Sequence, residues 1–207
     1  MKKISSILSA TMISFFCGIA AIQAAETATP PQQMENAQAS TPTKEDAQVA
    51  REYFLKAAFL RYVVKYVEWP KDALPELSYN LCIIGDVPSF KGINSVNGKM
   101  VDNRSIIVQP VRTVEQAEKN CQILFISPSL SKQSAEIVEK LKNSKTLAFG
   151  DFDDFAKNGG DMNFFIMNNR MAIMINPPAV YQKGLKISEK MLKLVAVVPD
   201  LEGEESN

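Results

Sequence analysis

Four short apolar runs, at residues 81–85, 106–109, 123–127 and 146–149, constrain this chain more than any other feature. Each has the length of a strand and none alternates with polar residues, which is the pattern of strands covered on both faces. Helical stretches at 114–119 and 132–141 separate the last three. Such alternation predicts a single α/β domain, a mostly parallel sheet flanked by helices.

The flanking segments fit that frame. Between 46 and 67, Val49, Tyr53, Leu55, Phe59, Tyr62, Val63 and Tyr66 follow the period of a long amphipathic helix, and Trp69-Pro70 ends it. Apolar segments at 162–167 and 171–175 are joined by Asn168-Asn169-Arg170. Asparagine tolerates the positive φ of a tight turn, so an antiparallel hairpin is expected at the sheet edge. Asn176-Pro177-Pro178 opens a short helix, and Ser188 caps a closing helix whose stripe is Met191, Leu192, Leu194 and Val195.

Residues 1–25 have the layout of a bacterial secretory signal peptide: Lys2-Lys3, an apolar core, and an Ala24-Ala25 exit. Cys17 follows Phe16 where a lipobox needs Gly, Ala or Ser, which argues against lipidation. Export places the chain in the periplasm and leaves Cys82 and Cys121 where thiols are oxidised, so the pair is expected to form a disulfide. Residues 26–45 are too polar to repay ordering and are read as a disordered leader; 46–198 form the domain, and 199–207 an acidic tail.

Charge and composition exclude several function classes. Basic and acidic residues number 23 each, and loss of Lys2 and Lys3 makes the mature chain slightly acidic, which with no polybasic run argues against nucleic acid. No membrane insertion is expected once the signal is cleaved. The chain has no histidine, so the usual general base near neutral pH and the usual metal ligand are missing. Asp151, Asp153 and Asp154 lack the glycine and distal glutamate of a calcium loop, and Gly159-Gly160 lacks dinucleotide-binding spacing and reads as a turn. No catalytic, cofactor or metal site is expected.

Several blocks carry a family resemblance. They are Phe54-Leu55-Lys56-Ala57-Ala58-Phe59-Leu60 with Val67-Glu68-Trp69-Pro70; Leu81-Cys82-Ile83-Ile84-Gly85; Cys121-Gln122-Ile123-Leu124-Phe125-Ile126-Ser127; Phe155-Ala156 with Gly159-Gly160; and Ile175-Asn176 through Gly184-Leu185-Lys186-Ile187-Ser188 to Leu192-Lys193-Leu194. In order and spacing, across about residues 50–198, the chain resembles the YfiR-like family of bacterial periplasmic proteins. The resemblance implies a non-catalytic α/β domain, often a homodimer, that restrains an inner-membrane diguanylate cyclase by binding its periplasmic sensor domain. It also places Cys82 and Cys121 at strand-start positions of two family blocks. The family's regulator has a second disulfide in its later half, but no cysteine follows Cys121 here.

Trp69, Phe164 and Met171 are the candidate partner-interface residues. Trp69 suits either a core plug or an interface anchor. In a hairpin only alternate side chains reach one core, so some of Phe164, Phe165, Met167, Met171 and Met174 are candidates for an exposed apolar strip. The alternative to a cyclase regulator is a small-ligand binding module of a sensing or uptake system, for which Arg104, Asn163 and Arg170 would have to converge on a cleft. The mass of the exported protein is expected to correspond to a start at Ala25 or Glu26; retention of Met1 would contradict the signal assignment.

Overall fold

The structure is a computed structural model that describes residues 43–198. The expected signal peptide, nearly all of the leader and the acidic tail lie outside the described residues. In chain order the elements are α1 (Lys44–Val64), β1 (Val67–Glu68), β2 (Ser78–Ile84), α2 (Phe90–Ile93), β3 (Met100–Val101), β4 (Arg104–Pro110), α3 (Val114–Asn120), β5 (Ile123–Ile126), α4 (Ser134–Leu141), β6 (Leu147–Gly150), β7 (Met162–Met167), β8 (Arg170–Ile175), α5 (Pro177–Gln182), β9 (Lys186–Ile187), α6 (Glu189–Leu192) and β10 (Ala196–Val197).

Helix α1 starts two residues before the expected position, inside the assigned leader, because Thr43 caps it. The Thr43 hydroxyl accepts from the Asp46 N–H at 3.1 Å, and the Asp46 carboxylate accepts from the Thr43 N–H at 2.9 Å. The helix stops at Val64 rather than Val67, since Val67 and Glu68 pair with Ile187 and Lys186 as a two-stranded ribbon.

The main sheet has eight strands in the order β10-β8-β7-β6-β5-β2-β4-β3. Its centre is parallel, as expected: β2 pairs with β4 and β5, β5 with β6, and β6 with β7. Strands β7 and β8 form the expected antiparallel hairpin, turning at Asn168 (φ 50°) and Asn169 (φ 59°). The hairpin is not the last strand, because β10 pairs beside Met174 and Ile175. That return to the sheet limits α6 to one turn instead of the helix expected through Val195.

Alternation along the strands splits the core in two. Leu81, Ile83, Phe125, Leu147 and Phe149 face α1, whereas Ile84, Leu124, Ile126 and Ala148 pack with Val114, Ala117, Ile137 and Leu141 of α3 and α4. The run at 106–109 departs from the two-sided pattern: no β4 residue joins the cluster under α3 and α4, and Ile107 is exposed. Cys82 on β2 is bonded to Cys121, with Cα atoms 5.9 Å apart, and both are buried under α3.

The bridge pins the α3–β5 junction to a central strand. Closing a loop of 39 residues removes chain entropy worth about 4 kcal/mol. Cys82→Ser is therefore expected to lower the thermal midpoint by about 8–16 °C, read by differential scanning calorimetry; an unchanged midpoint would contradict the staple role.

Candidate functional site

Helix α1 is apolar on two sides. Tyr53, Ala57, Leu60 and Val64 are buried against the sheet, while Phe54, Leu55 and Tyr62 stay exposed. A soluble surface helix ordinarily shows one apolar stripe. The second stripe continues into a groove of about 250 Å³ lined by Phe59 and Tyr62 of α1, Tyr66 just after it, Met171 and Ile173 of β8, and Leu194 and Val195 after α6.

The groove is built on aromatic packing. Phe164 lies beneath it, with ring centroids 4.5 Å from Phe149 and 6.2 Å from Phe59. Tyr62 and Tyr66, one turn apart, stack at 4.8 Å, and the Tyr66 hydroxyl donates to that of Tyr62 at 2.8 Å. Around it, Leu194 is 71% exposed, Ile166 68% and Val197 45%, while Met167, 50% exposed, lies at the hairpin tip on the opposite face. Strand β6 pairs with β7 only at Met162 and Asn163, so the hairpin beyond Asn163 projects past the parallel strands.

Buried charge fixes the height of α1 over the sheet. Asp151, just past the carboxyl end of β6, accepts from the Tyr53 hydroxyl at 2.6 Å and pairs with Lys56 at 2.5 Å. Lys56 also reaches Glu52 at 2.5 Å and lies 4.5 Å from the Tyr53 ring centre. Burial pushes the Asp151 carboxyl above its ordinary pKa, while Lys56 and Tyr53 pull it back down. A second buried pair, Lys183 with Asp161 at 2.6 Å, ties the end of α5 to the start of β7; Asp161 also accepts from the Ala148 N–H.

The sequence candidates are dispersed. Trp69 is buried and does not line the groove, its indole N–H donating to the Lys145 carbonyl at 3.1 Å and its ring 5.9 Å from that of Tyr79. Phe164 is buried, and Met171 is half-buried in the groove wall. Of the three clustered aspartates, Asp151 turns inward, Asp153 is exposed and Asp154 pairs with Lys157 at 2.8 Å. Gly159 has φ +93°, and a Cβ at Gly160 would overlap the Phe155 ring. Arg104 is on β4 and Asn163 on β7, with β2, β5 and β6 between them, so the three polar groups of the ligand-binding alternative do not converge.

Sequence reading missed Tyr62, Tyr66, Ile166, Leu194 and Val195 as surface residues. Its available signal was the excess of apolar positions on α1 over what one stripe holds. A polar cleft of about 660 Å³ lies at the opposite end of the strands, among Asp72, Asn80, Asn120 and Lys145. No described helix is long and apolar enough to cross a membrane.

A family model described as YfiR/HmsC-like matches residues 53–196. No curated protein matches the chain. A solved structure described as a conserved domain protein from Vibrio cholerae is similar in fold, with a TM-score of 0.50 and 9% identity over 71% of this chain and 60% of that one.

The buried anchor has a measurable signature. Removing one partner of a buried pair costs about 3–5 kcal/mol because it leaves the other charge unpaired, so in a double-mutant cycle of thermal midpoints the combined Asp151→Asn/Lys56→Met variant should lose less than the sum of the two single losses. The raised Asp151 pKa means that the folded state holds its proton more tightly than the unfolded chain. As pH rises from about 3.8 through the raised value, the wild type should lose stability relative to Asp151→Asn; a parallel pair of profiles would contradict the assignment.

Proposed function

The chain belongs to the YfiR/HmsC-like family of periplasmic regulators of diguanylate cyclase signalling, and on that premise we propose that it restrains an inner-membrane cyclase by direct contact with its periplasmic sensor domain. The contact surface is the α1–β8 groove with the projecting hairpin tip. The observation that carries this reading is the exposed apolar rim of Ile166, Leu194 and Val197 beside an unfilled apolar groove. Full burial of one such side chain is worth about 1.5–3 kcal/mol, so a few of them suffice for a specific complex.

The role needs no turnover. The surface offers shape and apolar area, and the chain contains no histidine to act as a base near neutral pH. Trp69 serves the fold in this reading, buried against Tyr79 and bonded to the Lys145 carbonyl, and Phe164 floors the groove. The disulfide, buried under α3, acts as a staple in this reading.

Deleting the gene in its native host should raise cellular cyclic di-GMP, and the wild-type gene should restore it. Leu194→Asp, exported and folded, is expected to restore little, because a carboxylate at the groove rim cannot be buried against an apolar partner. An unchanged level on deletion, under envelope stress as well, would overturn the reading; full restoration by Leu194→Asp would move the contact elsewhere.

A further inference from the structure

We propose that the open edge of β8 accepts an extended peptide strand from the partner, with apolar side chains entering the α1–β8 groove and acidic residues on either side of them. The inference rests on the groove being the contact surface and adds the chemistry of what fills it.

The register of the hairpin decides which backbone groups are free. Met167 and Arg170 close the two-residue turn, so Arg170, Ala172 and Met174 bond toward β7, and Met171, Ile173 and Ile175 point out of the sheet. Two bonds confirm the parity: the Asn176 N–H donates inward to Asp161 at 2.9 Å, and the Ile175 carbonyl accepts outward from Val198 at 2.8 Å. Strand β10 covers only Met174 and Ile175. The N–H and carbonyl of Met171 and the N–H of Ile173 are left without a strand beside them. β10 itself demonstrates that this edge takes a parallel neighbour.

Charge selects the occupant. Arg170 opens the uncovered stretch of β8, and Lys190 and Lys193 stand next in sequence to the groove-lining Met191 and Leu194, with no Asp or Glu adjoining a lining residue in a chain with equal numbers of acidic and basic residues; Arg61 and Lys65 face a separate cleft beside Met100 and Asp102. None of Arg170, Lys190 and Lys193 is in an ion pair among the described residues. An apolar groove with this border fits an apolar segment flanked by carboxylates. An anionic lipid would satisfy the charge but would bury the Met171 and Ile173 backbone groups without partners, which is costly. A strand satisfies both.

The test uses the mature, disulfide-intact protein as bait for a library of displayed random dodecapeptides. Enrichment of alternating apolar residues flanked by Asp or Glu is expected. The best peptide's affinity is then measured by fluorescence anisotropy on wild type, Met171→Pro and Arg170→Glu/Lys193→Glu. Proline at position 171 removes an outward N–H and leaves the β7–β8 bonds in place, so binding should weaken about 10-fold, as for one lost hydrogen bond. The charge-reversed protein, whose backbone is untouched, should lose several-fold, and less at high salt. Slowed hydrogen exchange at the Met171 and Ile173 amides in the wild-type complex is expected whether or not the proline variant folds. Selected peptides without acidic flanks, affinity indifferent to the charge reversal, unslowed amides, or binding to phosphatidylglycerol vesicles with no peptide enriched would each overturn the proposal. Persistence of cyclic di-GMP restraint beside any of these would remove strand docking alone and leave the groove's regulatory role intact.

Discussion

A sheet that is parallel through its centre must be covered on both faces, and here a single long helix covers most of one of them. Everything at the candidate surface follows from how that helix is held. Tyr53 and Lys56 reach down to the buried carboxylate of Asp151, and Ala57 and Leu60 fill the space between. Because the inward side is fixed by charge as well as by packing, α1 cannot roll to hide its second apolar side. A neutral anchor would allow more freedom at similar stability, since buried pairs often do no better than apolar replacements in net energy. The pair's contribution is to position.

The two ends of the sheet are managed differently. Beyond β4, the loop after α2 occupies the edge: Gly98 donates to Ile106, Ile106 to Lys99, and Val108 to the Asn97 side chain. Together with the two-residue β3, these bonds occupy the β4 edge from Arg104 to Val108. At the β8 end, cover stops at Met174, and the hairpin extends past the parallel strands with Ile166 and Met167 in solvent. Apolar surface, open backbone and basic border therefore coincide at one flank.

Much of the fold was legible because its strands are apolar runs and its turns carry their own chemistry. Asn168-Asn169 specified the hairpin through two positive φ angles and Ser188 announced its cap, whereas the Thr43 cap was hidden in a segment whose polar composition reads as leader. The strand at Ile106–Val108 misled because an apolar run states that burial is available, not that helices reach that far. The groove was not legible for a related reason. Phe59, Tyr62 and Tyr66 share the helical period with the buried residues of α1, and only packing against β8 decides which of them remain outside. Asp151 read as one of three clustered carboxylates; its partner Tyr53 lies 98 residues away, and no local pattern connects them.

The central claim is that the α1–β8 flank is where this regulator meets its cyclase. The most direct test is hydrogen exchange of the mature protein with and without the purified periplasmic domains of the host's inner-membrane diguanylate cyclases. One of these domains is expected to slow exchange across residues 164–173 and 191–195 and to leave the polar cleft around Asn120 and Lys145 unchanged. Slowing confined to that cleft, or no slowing with any of the domains, would contradict the account.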